Sequence, residues 1–149
     1  MKVLSAVMFT SVLLAGCPEV PLPIDPLVIP PAADIEYINV SRRNPDGSER
    51  SEFKIWDRQK IEAIAAELRM NNTGYFTEMD KQVPQEYSVA LNGREGMATM
   101  VWIAHDWLGG VDSEHEDSSG GLASHFRKLD AEQHRRLLLL LRQPLEGSE

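Results

Sequence analysis

A chain of 149 residues has room for one domain with a substantial core, and 42% hydrophobic with 26% charged residues is an ordinary globular composition. The net charge of −8 argues against nucleic-acid binding, which requires a basic face, and against docking to anionic lipid head groups. It suits a basic protein partner or a cation, and the single cysteine excludes an internal disulfide.

Met1-Lys2 gives a minimal positive start, and residues 3–14 form an apolar run broken only by Ser5, Thr10 and Ser11. A membrane-spanning helix needs about twenty apolar residues, so this run fits the hydrophobic region of a secretory signal instead. The small residues Ala15 and Gly16 follow, as a processing protease requires. Leu14-Ala15-Gly16-Cys17 resembles the lipobox of bacterial lipoproteins. The resemblance implies that residues 1–16 are a signal peptide, that Cys17 carries acyl and diacylglycerol lipid, and that the mature chain starts there. Loss of Lys2 would take the net charge to about −9. Each buried methylene contributes about 0.8 kcal/mol, so more than one acyl chain holds a protein firmly on a membrane. In this class an acidic second mature residue favours the inner membrane. Pro18 stands there, which implies an anchor in the outer membrane with the domain facing the periplasm. The resemblance covers the first seventeen residues and says nothing of the rest.

Residues 17–33 read as a tether. Pro18, Pro21, Pro23, Pro26, Pro30 and Pro31 recur too often for a helix or a central strand. Such a segment favours polyproline II, and its sixteen residues after Cys17 would reach about 50 Å. The reading is a semi-rigid spacer; the alternative is an arm packed on the domain, because Val20, Leu22, Ile24, Leu27, Val28 and Ile29 are apolar for a solvated linker.

Residues 34–145 read as one α+β domain, followed by a disordered tail at 146–149. Residues 35–42 and 50–56 form two strands around the turn signal Asn44-Pro45-Asp46-Gly47. Asp57 caps a helix whose Ile61, Ile64, Ala65 and Leu68 make one apolar stripe. Residues 86–91 and 97–105 form a second hairpin around Asn92-Gly93, its second strand central because it is apolar on both faces, with Trp102 in the core. Residues 122–129 form a fifth strand. Asp130 with Gln133 reads as a capping box for a Leu-rich helix at 131–142, too short to span a membrane. The architecture is thus an antiparallel sheet of four to five strands with two helices packed on one face. "FKIWDRQKIEAIAAELR" from Phe53 and "FRKLDAEQHRRLLLLLR" from Phe126 align without gaps, pairing Asp57 with Asp130 and Ile64 with Leu137. Shared strand–cap–helix chemistry explains this, and a duplicated ββα unit is the alternative.

Chemistry concentrates in residues 105–121, read as one long loop. His105, Asp106, Trp107, Asp112, Glu114, His115, Glu116 and Asp117 are the candidate binding residues, with His125 just beyond. The alternating acids resemble a calcium loop, but Asp117 stands where an EF-hand needs glycine and Ala123 where it needs an acid. Histidines ten residues apart match no local zinc spacing. No G-x-S-x-G elbow and no phosphate loop occurs, and a lipidated Cys17 is no nucleophile. The expectation is a non-enzymatic protein-binding or structural module with no metal and no cofactor besides the lipid. The alternatives are a metal- or small-ligand-binding lipoprotein using this loop, an inhibitor or immunity protein against a basic envelope-targeting enzyme, and a small hydrolase.

Overall fold

The structure, a computed structural model, describes residues 23–44, 46, 50–77 and 85–142. The expected signal peptide, Cys17, residues 18–22 of the tether, residues 45 and 47 of the first turn and the 146–149 tail lie outside the described residues.

The fold is α+β, as the patterning indicates, but among the described residues its open antiparallel sheet has eight strands rather than four or five. In chain order these are β1 (Pro23–Ile24), β2 (Tyr37–Arg43), β3 (Arg50–Ile55), β4 (Tyr75–Phe76), β5 (Tyr87–Gly93), β6 (Gly96–Ile103), β7 (Trp107–Asp112) and β8 (His125–Lys128). Across the sheet they run β1-β4-β8-β7-β6-β5-β2-β3. The apolar strand β6 is central, as its two-sided hydrophobicity requires. Two of the extra strands, β1 and β4, are two residues long and carry no alternation to read.

β7 lies inside the stretch expected to be loop, and its Gly109 and Gly110 hide it. Both glycines are demanded by packing. A Cβ at Gly109 would come within 2.9 Å of the Phe126 ring, and one at Gly110 within 2.7 Å of Leu27 and of the Met100 carbonyl. The second hairpin also turns later than expected. β5 runs through Asn92-Gly93, Gly93 pairs with Gly96, and Arg94-Glu95 make the turn. Gly93 is needed because a Cβ there would sit 2.9 Å from the Asp34 carbonyl.

Helix α1 (Arg58–Arg69) starts at Asp57, whose side chain accepts from the Lys60 amide; helix α2 (Ala131–Leu140) starts at Asp130, which accepts from the Gln133 amide. The capping box is only half made, because the Gln133 side chain does not return to the cap. It donates instead to the carbonyls of Glu67 and Met70 at the end of α1, both at 2.8 Å. Both helices join one core with the inward residues of the sheet: Ile61, Ile64 and Leu68 of α1 and Leu137 of α2, with Ile38, Val40, Val89, Leu91, Val101 and Ile103. The two aligned segments agree in cap and helix but not in strand. Phe53 lies opposite Val40 and packs against the core, whereas Phe126 lies on the other face, over Gly109.

The helices leave the β7–β8 end of the inner face to another layer, residues 25–31. Leu27 is 1% exposed and Ile29 belongs to the same core. This part of the proline-rich segment is therefore a packed arm, not a spacer. Its carbonyls are held by side chains: Asn72 donates to Leu27 O, Thr99 to Val28 O, Arg69 to Ile29 O and Pro30 O, and Arg58 to Ala32 O and Ile35 O. An extended chain rich in proline has few amides with which to join a ladder, so side chains of α1, of the turn after it and of β6 grip it through its acceptors.

Candidate functional site

Strand β7 splits the candidate residues into two groups, at ends separated by about 17 Å of extended backbone. At one end His105 and Asp106 form a tight turn between β6 and β7, closed by the Ala104 amide on Trp107 O at 2.9 Å. The exposed His105 meets a second element there. Its ring lies edge-on to His134 of α2, 5.5 Å between centroids, and His134 Nε2 is 3.3 Å from Glu86.

At the other end Asp112 points inward, 1% exposed. Its Oδ2 accepts from the Val28 amide at 2.8 Å, and its Oδ1 from the amides of Glu114 and His115 at 2.9 Å each. Burial pushes its carboxyl up, but these bonds and that of the His115 ring outweigh burial and hold it below the ordinary value. His115 Nδ1 stands 3.0 Å from both carboxylate oxygens. Residues 113–124 fold back as a small hairpin, with Glu116 bridging to Leu122 and the Ala123 amide on His115 O. Asp117 is consumed by that fold. Its carboxylate takes the Ser119 amide and hydroxyl and the Gly121 amide, which keep it ionised below the usual carboxylate range. Glu114 and Glu116 stay exposed on the rim.

Register brings in His125. It pairs with Gly110, and Asp112 is the next inward residue of β7. His125 is fully buried; its Nδ1–H donates to Asp25 O at 2.9 Å, leaving Nε2 3.8 Å from Asp112 Oδ2 with no hydrogen-bond partner. Its ring lies 4.9 Å from that of His115. Burial holds its pKa below the ordinary histidine value, so the ring is neutral near pH 7. Sequence spacing could not show this meeting, because it is made by strand pairing and not by local periodicity.

Among the described residues, no helix packs on the other face of the sheet. One row of cross-strand neighbours runs Glu52, Ser41, Ser88, Trp102, Gly109, Phe126, Phe76 and Pro23. It is polar over β3, β2 and β5, and from β6 onward it carries Trp102, Phe126 and Phe76, with Gly109 between the first two and Pro23 at the edge. Trp102, expected in the core, lies half-buried here against Gly109, and Trp107 is half-buried in β7.

No family model matches this chain, and no curated protein or solved structure matches it.

Proposed function

We propose that the chain is a lipid-anchored protein of the bacterial envelope, facing the periplasm from the outer membrane and working without catalysis. It binds a basic envelope protein through the bare face of its sheet. The observation behind this reading is the row Trp102–Phe126–Phe76, an aromatic strip on a sheet face that carries no second layer among the described residues. Acidic groups stand at both ends of β7 beside it, Asp106 at one and Glu114, Glu116 and Asp117 at the other. An aromatic centre with a charged rim is the composition of a protein interface. The acids steer a cationic partner, and an inhibitor or immunity protein is the specific form this takes when that partner is an enzyme with a basic cleft.

The lipobox reading puts the anchor at Cys17, six residues before Pro23. Those residues span at most about 20 Å, so the aromatic end of the row lies close to the bilayer. The test is photocrosslinking in cells from residue 126 of the full chain. The expected result is one dominant adduct with an envelope protein, lost when Trp102 and Phe76 are both changed to serine while circular dichroism is unchanged. Equal adduct formation by that variant would overturn the reading.

A further inference from the structure

Asp112, His115 and His125 offer three ligand atoms that all lie within 4.8 Å of one another. From this geometry we infer that they form a binding site for a divalent transition cation of the zinc type, and that the cation clamps the arm to the sheet. One oxygen and two imidazole nitrogens are a common zinc ligand set, with a fourth position left to water. Zinc–ligand bonds of about 2.0–2.1 Å at tetrahedral angles put neighbouring donors about 3.3 Å apart. Here His115 Nδ1 to Asp112 Oδ2 is 3.0 Å, and Asp112 Oδ2 to His125 Nε2 is 3.8 Å.

His125 carries the inference. Its Nε2 is fully buried, has no hydrogen-bond partner and is aimed at the carboxylate. An imidazole nitrogen left this way is costly unless something binds it. Its other nitrogen donates to the Asp25 carbonyl, which fixes the tautomer with the Nε2 lone pair free, as an outer-shell acceptor does for a metal-ligating histidine. Only His115 must change state. Its Nδ1 proton, now shared with Asp112, moves to Nε2, and the cation takes the proton's place. The second trio, Glu86, His105 and His134, does not share these features: His134 Nε2 is already partnered by Glu86.

The same groups hold the arm. Asp112 takes the Val28 amide and His125 holds Asp25 O, so a cation that fixes both side chains stiffens residues 25–28. The experiment uses the untagged full chain in detergent, titrated with Zn²⁺ and with Co²⁺. The expected results are a raised thermal midpoint with Zn²⁺, the visible absorption of four-coordinate cobalt at one equivalent, and slower hydrogen exchange at the Val28 amide. Ca²⁺ and Mg²⁺, which prefer oxygen donors, should do neither. His115→Ala, at a half-buried position, should weaken binding more than about 100-fold, beyond what outer-shell changes give, and His105→Ala should leave it unchanged. Should His115→Ala not fold, His115→Phe serves the same comparison. Absence of cobalt bands in the wild type, full binding by the His115 variant, or loss on His105→Ala would each overturn the inference.

Discussion

Tyr75 stands at the crossing of the buried polar groups. Its hydroxyl donates to Asn72 Oδ1 at 2.6 Å and accepts from Arg127 Nε at 3.2 Å. Asn72 passes the chain on to Leu27 O, and Arg127 passes it back to Gln133 Oε1. Burial raises the Tyr75 pKa above 10.0, and the nearby Arg127 offsets this only in part. With a raised native value, the unfolded phenol ionises first as pH climbs. Stability is therefore intact below pH 10 and falls as pH rises through the native pKa. Tyr75→Phe should cost about 1–3 kcal/mol at pH 7, since it strands Arg127 Nε and the Asn72 amide oxygen. It should also lose less stability than the wild type between about pH 9 and 11, as phenol ionisation near pH 10 dictates; urea unfolding of the two proteins across that range checks both outcomes. A Cβ at Gly110 meets Leu27 and the Met100 carbonyl at 2.7 Å. Gly110→Ala should accordingly lower the urea midpoint by about 1–3 kcal/mol in stability terms, the scale of an overpacked core.

At the scale of elements, the arm behaves as a core layer. Leu27→Ala should cost about 2–5 kcal/mol in urea unfolding, the range for a buried leucine. A solvated tether would show no change. The two helices were legible in the sequence because each joins a capping aspartate to an apolar stripe, and both signals are local. β3 was legible by alternation, β2 by its β-branched residues, β6 by its unbroken apolar run, and β5 by the turn pair that follows it. β7 was not, because Gly109 and Gly110 are shaped by Phe126 and Leu27, partners distant in sequence. Gln133 misled for a similar reason: a residue at the right place for a capping box is drawn off by the carbonyls ending α1. Of the candidate site, Asp112 and His115 were visible as chemistry-bearing types. His125 and the separation of His105 from the rest depended on strand order, which no spacing rule contains.

Across the whole molecule, the division of labour between the two sheet faces is the governing feature. One face carries both helices and the arm; the other carries the aromatic row. No helix among the described residues is long and apolar enough to cross a membrane, so in the proposed reading attachment rests on Cys17. Cys17→Ser should shift the protein from the membrane to the soluble fraction on cell fractionation, with the domain's thermal midpoint unchanged. A membrane-bound serine variant would point to contact through the sheet face instead.

The grip on residues 25–35 has a mechanical consequence. Tension applied at the N-terminal end enters at Pro23 and must first peel the two-residue ladder with β4 and break the clasp at Asp25 before it reaches the core through Leu27, Val28 and Ile29, each held by its own side-chain bond. Such a sequence of small, separately loaded fasteners yields in steps, so a pull on this lead-in is taken up first at its outermost contacts.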